Sequence, residues 1–161
     1  MNIAVFSDSH GTSAGMIQII EKYQPDAVIH CGDGYSDTKA IEKRFPEIPL
    51  YRVAGNCDWC KDVPYKMTIE LGGIKIFITH GHMYSVKSGS LDRLIYAAEE
   101  EGATLCLYGH THSAGYDFIG SVTAINPGSI GYGNNFNGDQ TWCLLNISGG
   151  EANWRISKLY D

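Results

Sequence analysis

One local pattern recurs three times in the first third of the chain and limits what it can fold into. A short apolar run closes on a cluster of small and polar residues, and a segment of helical period follows. Ile3 to Phe6 ends in Ser-Asp-Ser-His-Gly, after which Met16, Ile19, Ile20 and Tyr23 recur at helical spacing until Pro25. Ala27 to Cys31 is the second apolar run, followed by a charged helical stretch from Thr38 to Phe45 that Pro46 interrupts. Leu50 to Ala54 is the third, and it ends in Gly55-Asn56. Three βα-like repeats predict a parallel sheet with helices packed on it, an α/β fold.

The second half changes character. Met67 to Leu71 and Ile74 to Thr79 flank Gly72-Gly73, a two-residue hairpin signal, so antiparallel pairing begins here. One more helix is predicted, with Leu91, Leu94, Ile95 and Ala98 on its buried face and Gly102 at its end. Short strands are expected around Thr104–Tyr108, Tyr116–Ile119, Val122–Ile125, Trp142–Ile147 and Trp154–Leu159, with Gly149-Gly150 turning the last pair. No linker, repeat or low-complexity tract interrupts these elements, and a chain of 161 residues buries about 69% of its unfolded surface, so one domain over residues 1–161 is expected. Gly128 to Gly138 reads as a long loop, either a lid whose backbone N–H groups meet a phosphate or an ordinary surface connection.

Charge and cysteine content narrow the partners. Twelve Lys and Arg against eighteen Asp and Glu give a net charge of -6 with no basic run, which argues against extended nucleic acid and anionic membranes. The longest strictly apolar run, Leu94 to Ala98, falls far short of the roughly 20 residues of a spanning helix. The first residues show no cationic leader or cleavage site, and five Cys is an odd number in a chain that needs no staples. Reduced thiols and a cytoplasmic location are therefore expected.

Histidine is the informative residue. Five of the six, His10, His80, His82, His110 and His112, follow directly on predicted strands; only His30 lies inside one, where a hydrogen-bonded structural role is expected. Asp8, Asp33 and Asn56 occupy the same position after the first three strands. Residues just past the carboxyl ends of parallel strands converge on one crevice. A lone His after a strand is usually a solvated loop residue and an Asp before Gly a turn former, but seven such residues together favour a site. Asp8 and His10, like His110 and His112, are two apart, and in extended backbone each pair would project to one side. Nitrogen and oxygen donors without thiolate suit Mn, Fe, Co, Ni or Zn, and their number exceeds what one ion needs. Two ions sharing a carboxylate fit better than one.

The series Asp8-Ser9-His10, Gly32-Asp33, Gly55-Asn56, His80 and Gly109-His110-Thr111-His112 resembles, in order and over nearly the whole chain, the signature of the calcineurin-like metallophosphoesterases. Gly55-Asn56-Cys57-Asp58 and Asn126-Pro127-Gly128-Ser129 are most similar to the YfcE-like small phosphodiesterases. The resemblance implies two facing mixed β-sheets flanked by helices. It implies that Asp8, His10, Asp33 and His112 hold one metal, and that Asp33, Asn56, His80 and His110 hold the other, with Asp33 bridging. It further implies a metal-dependent phosphodiesterase acting on a small phosphate ester through a metal-bridging hydroxide, with Mn the foremost metal and Ni, Fe, Co or Zn alternatives, in a chain that forms a dimer or tetramer.

Three departures stand out. Ser36 occupies the place three residues after the bridging Asp where the superfamily often has Asp, and Asp37 follows it. Cys57 stands where the superfamily has a His that assists the departing group, and Gly131-Tyr132-Gly133 replaces the Pro-Arg pair of many relatives. Asp33, Asn56, Cys57 and His82 are taken as the catalytic group, with His82 either contacting the ligands or the substrate or serving a structural role. Cys57 and Cys60 form a C-x-x-C read as coincidence, because it does not open a helix after a first strand. Cys31, Cys106 and Cys143 are expected in the core, and Tyr35, Trp59, Tyr84 and Tyr132 around the rim. No insertion of cap size interrupts the elements, so an open site is expected. The competing functions are phosphomonoester hydrolysis, a protein-binding scaffold, since the fold resembles that of a retromer subunit, and a dithiol redox role resting on Cys57 and Cys60 alone.

Overall fold

The computed structural model describes residues 1–131 and 138–160. In chain order the elements are β1 (Asn2–Phe6), α1 (Ala14–Tyr23), β2 (Ala27–His30), α2 (Tyr35–Arg44), β3 (Leu50–Arg52), β4 (Lys66–Leu71), β5 (Ile74–Thr79), α3 (Asp92–Glu100), β6 (Leu105–Leu107), β7 (Gly115–Ile119), β8 (Val122–Asn126), β9 (Thr141–Ser148) and β10 (Glu151–Lys158). Two single turns of 3-10 helix, His82–Tyr84 and Val86–Ser88, lie between β5 and α3.

The strands form two five-stranded mixed sheets, ordered β10-β9-β1-β2-β3 and β4-β5-β6-β8-β7. The three βα repeats make β1, β2 and β3 parallel, and β9 adds antiparallel to β1. In the second sheet β5, β6 and β8 are parallel, with β4 and β7 antiparallel at the edges. Both glycine pairs turn hairpins with two positive φ angles, 56° and 83° at Gly72-Gly73 and 60° and 78° at Gly149-Gly150.

Side-chain alternation sets the layers. Ile3 and Val5 face Ile76, Ile78, Leu105 and Leu107 across the space between the sheets, while Ala4 and Phe6 point outward onto Met16, Ile20 and Ile41 of α1 and α2. α3 covers the outside of the second sheet, with Leu94, Ile95 and Ala98 on Phe77, Cys106 and Ala124. Cys31, Cys106 and Cys143 are buried as expected of small core residues, and all five cysteines are free. Among the described residues no helix is long and apolar enough to cross a membrane.

α2 begins at Tyr35, almost a turn before the start predicted at Thr38. Its first N–H groups are satisfied from another loop, since the Asp58 carboxylate accepts from Gly34 N at 3.0 Å and Tyr35 N at 2.9 Å. No local propensity signal announces a cap supplied from a distance. The carboxyl ends of β1, β2, β3, β5 and β6 open on one end of the sandwich. Within the second sheet the loops after β5 and β6 are tied by Gly109 N to the His80 carbonyl, 3.1 Å.

Candidate metal centre

The loop after β1 carries Asp8, which is wholly buried. Its Oδ2 accepts from Ser7 Oγ at 2.5 Å and from the His110 backbone N–H at 3.1 Å. Oδ1 faces His112 Nε2 at 3.1 Å, His10 Nε2 at 3.7 Å and His80 Nε2 at 3.8 Å. None of these meets hydrogen-bond geometry, so Oδ1 is a buried oxygen without a hydrogen-bond partner. Burial opposes ionisation of Asp8, but the His10 and His112 imidazoles, the charge of His80 and the Ser7 hydroxyl outweigh it and hold the carboxyl well below its usual range.

Asp33 follows β2. Its Oδ1 accepts the Cys57 backbone N–H at 2.8 Å, and its Oδ2 lies 3.3 Å from His80 Nε2 and 3.9 Å from His10 Nε2. Burial again disfavours the charge, yet His80 and the Cys57 amide lower the pKa to about 2. The close approach requires glycine at position 55, because a Cβ there would collide with Asp33 Oδ1.

His80, at the end of β5, is fully buried rather than on a surface loop. Its Nδ1 lies 2.8 Å from the Cys31 carbonyl and so donates, which leaves Nε2 as the atom directed at Asp33 and Asp8. That nitrogen has no hydrogen-bond partner. Burial works against protonation of His80, while Asp33 and Asp8 outweigh it and raise the pKa. The His110 ring centre is 5.0 Å from that of His80, and burial together with the His80 and Lys87 charges pushes its pKa down to about 4, keeping it neutral.

The donor atoms fall into groups whose members all lie within 4.8 Å of one another: Asp8, His10 and His112; Asp33, His80 and His110; and an overlapping trio of His10, Asp33 and Cys57. His10 Nε2 and His112 Nε2 are 3.2 Å apart. Two nitrogens bound to one zinc at about 2.0–2.1 Å and a tetrahedral angle would be about 3.3 Å apart, so the spacing suits a shared cation. Two orphaned buried atoms among clustered imidazoles and ionised carboxylates make a donor set that suits a divalent metal.

The backbone that delivers these groups differs from expectation. Asp8 (φ 54°), His10 (44°), Asp33 (56°), His110 (69°) and His112 (59°) are all left-handed, so each two-residue pair is not extended. The pairs converge through tight turns instead of strand alternation. Asn56 is exposed beside the site, its Nδ2 donating to Cys57 Sγ at 3.4 Å. Cys57 is exposed too, and burial, then Asp33, pushes its thiol up to about 11. His82 packs its ring 5.5 Å from His80 and 5.7 Å from Tyr65, with a buried, unpartnered Nδ1 and a pKa lowered by burial and by His80.

The surrounding residues divide. Trp59 is 98% exposed, Tyr35 lies under Arg52 at 4.4 Å, Tyr84 packs on Phe77, and Tyr132 is outside the described residues. Of the segment Gly128 to Gly138, read either as a lid or as an ordinary surface connection, 132–137 lie outside the described residues. Ile130 N and Gly131 N are spent on the Ser7 and Asp8 carbonyls, both at 3.1 Å, and Ser129 Oγ donates to Asp8 O at 2.7 Å, so this segment braces the first loop from beneath. His30 has the expected structural role, fully buried with Nε2 3.1 Å from Ser9 Oγ. Sequence reasoning missed Ser9, Asp37, Asp58 and Ser129 as supports. An Asp three residues after Gly55 and another in the first turn of α2 were the available signals.

An open crevice of about 240 Å³ lies at the site, bordered by His10, Asp33, Cys57 and Asp58. A larger groove of about 380 Å³ runs beside Tyr116, Phe118 and Trp154, but it presents no histidine, cysteine or carboxylate and is separate from this chemistry.

Two packed mixed sheets with imidazole and carboxylate donors converging past their strand ends are the architecture of a metallophosphoesterase domain. The Calcineurin-like phosphoesterase superfamily domain matches residues 1–150, and the chain belongs to that family. The probable metallophosphoesterase YsnB of Bacillus subtilis is 38% identical over 133 residues, 81% of this chain and 75% of its own. The phosphodiesterase MJ0936 of Methanocaldococcus jannaschii is 30% identical over 147 residues, covering 80% of this chain and 83% of its own. A predicted phosphoesterase from Streptococcus pneumoniae superposes with a TM-score of 0.74 at 27% identity, over 97% of each chain. Vps29 from Entamoeba histolytica, solved with Zn, shares the fold alone: TM-score 0.76, 19% identity and 99% of each chain.

Proposed function

We propose that this chain hydrolyses small phosphodiesters at two divalent cations, one held by Asp8, His10, Asp33 and His112 and the other by Asp33, Asn56, His80 and His110. The observation that carries the reading is the pair of buried, unpartnered atoms Asp8 Oδ1 and His80 Nε2, each facing further donors. When bound, such cations supply Lewis acidity and a nucleophile from water at neutral pH. Asp33 lies between the two donor groups with one oxygen fixed by the Cys57 amide, which suits it to touch both. The Cys31 carbonyl takes the Nδ1 proton of His80, so Nε2 is the atom it would offer a cation, which would displace the proton that Asp33 and Asp8 favour there, while His110 stays neutral and offers its lone pair without losing a proton first. Asn56 turns its Nδ2 to the Cys57 thiol, which directs Oδ1 away from it. Cys57 holds its proton at Sγ, and His82 is the second group able to hold one near a departing oxygen. The relation to a protein named a phosphodiesterase supports diesters over monoesters.

The test is hydrolysis of bis(p-nitrophenyl) phosphate and p-nitrophenyl phosphate, each with and without Mn²⁺. A Mn²⁺-dependent rate that is faster on the diester is expected. A faster monoester rate overturns the substrate class, and no turnover of either by metal-loaded protein favours the scaffold reading.

A further inference from the structure

Two carboxylates border the crevice without joining any donor group: Asp37 and Asp58. Asp58, on the loop after β3, accepts four contacts from backbone N–H groups. These are Gly34 N at 3.0 and 3.3 Å on its two oxygens, Tyr35 N at 2.9 Å and Gly55 N at 2.9 Å. The donors flank Asp33 on one side and Asn56 on the other. Asp37, in the first turn of α2, accepts from Ser9 Oγ at 2.6 Å and Gly11 N at 2.9 Å, which flank Asp8 and His10. His30 supports the same knot: its Nδ1 accepts Gly32 N at 3.2 Å, so its proton sits on Nε2 and is donated to Ser9 Oγ, 3.1 Å away.

The N-terminus of α2 is therefore the point at which three loops are fastened. Asp37 reaches from it to the loop after β1, and the loop after β3 reaches back to it through Asp58. Charge-assisted hydrogen bonds from backbone N–H groups are about twice as strong as neutral ones. Strained, left-handed backbone at Asp8, His10 and Asp33 persists only where its surroundings over-determine it.

We propose that Asp58 and Asp37 are positioning residues that control different cations of the pair. Asp58 sets the side held by Asn56, His80 and His110, and Asp37 sets the side held by Asp8, His10 and His112. This inference rests on the two-cation reading above. Asp58 uses both oxygens as acceptors, so Asp58→Asn must turn an NH₂ toward a backbone donor. Asp37 makes both its bonds through Oδ2, which an amide could imitate, so Asp37→Ala is the informative change there.

Metal-stripped protein is titrated with Mn²⁺ by calorimetry, with Asn56→Ala and His112→Ala marking which binding step belongs to which side. Asp58→Asn should weaken the step that Asn56→Ala weakens, and Asp37→Ala the step that His112→Ala weakens, each by about 10-fold or more. Unfolding temperatures in chelator separate this from general loosening, which lowers both steps together. If Asp58→Asn does not fold, Asp58→Glu, which keeps charge and acceptors but shifts them by a methylene, takes its place. Equal weakening of both steps by either variant, or no weakening, overturns the inference. Wild-type protein that takes fewer than two ions overturns the two-cation reading instead.

Discussion

His10 and His112 lie 102 residues apart in the sequence, yet their Nε2 atoms are 3.2 Å apart. Without a cation, one of the two nitrogens must carry a proton toward the other; with one, both lone pairs are used at once. Protein dialysed against Mn²⁺ should therefore hold close to two ions per chain in a form that chelator removes. Ligands of the folded state stabilise it by mass action, so the unfolding temperature should rise with Mn²⁺ concentration. A stoichiometry of zero with no thermal shift would sink the metal reading.

Asp33→Asn should be the most damaging conservative change, because it removes the charge between the two donor groups while leaving its bond to the Cys57 amide possible. Turnover at saturating Mn²⁺ close to that of the parent would refute the shared role.

Asn56→Ala and His80→Ala should both abolish turnover, but they should differ in stability. Asn56 is exposed, and such changes usually fall within about 0.5 kcal/mol. His80 is buried on the Cys31 carbonyl, and leaving that acceptor unpaired costs about 1–3 kcal/mol. Denaturant unfolding in chelator checks the difference, and equal stabilities would contradict the burial of His80.

Cys57 has a thiol pushed up to about 11, a poor proton donor compared with an imidazolium near 6.5. Esters whose leaving groups need no proton, such as nitrophenolates, should be favoured over alkyl esters, by up to the 10²- to 10⁴-fold that general acid help is typically worth, roughly. Rates against leaving-group pKa for the parent, Cys57→His and His82→Ala decide it. A steep parental dependence that Cys57→His flattens is expected. A shallow one that steepens only in His82→Ala assigns the proton to His82.

His30 links stability to pH. Burial lowers its pKa from 6.5 to about 4, so between these values the unfolded chain takes up a proton that the folded chain refuses. Its contribution is complete above pH 6.5 and is lost as the pH falls to about 4, on the order of 3 kcal/mol. His110 adds to the same slope, its pKa pushed down by burial and by the His80 and Lys87 charges. Asp33 acts lower, as the pH falls from 3.8 to about 2. Urea unfolding of metal-free protein from pH 7 to 4 should show this decline, shallower in His30→Asn. Parallel declines in the two proteins would remove His30 as its source.

Much of the architecture was legible because its cause is local. Ile3 to Phe6 is apolar on both faces and Ala27 to Cys31 is so but for His30, and a strand covered on both sides demands that pattern. Asp8, Asp33, His80 and His110 could be placed together because strand ends gather whatever follows them. What stayed hidden depends on contacts made at a distance. The early start of α2 comes from Asp58, the burial of His80 from the facing sheet, and the bracing role of Ser129 from a loop more than a hundred residues away. The left-handed turns at Asp8 and His110 were missed for another reason. Two-residue spacing fits a strand and a tight turn equally well, and only φ separates them.

Seven non-glycine residues among those described have positive φ, and five of them are Asp8, His10, Asp33, His110 and His112. An L-residue in that conformation costs about 1 kcal/mol or more, so the chain carries several kcal/mol of instability where a hydrolase needs it and nowhere else in quantity. Natural selection can maintain such an expense only while turnover is useful. In a descendant kept solely for its outer surface, drift toward glycine at these five positions would be favoured by folding itself. Glycine content at these positions therefore offers a fossil record, by which a lineage that still cleaves esters can be told from one that has retired into scaffolding.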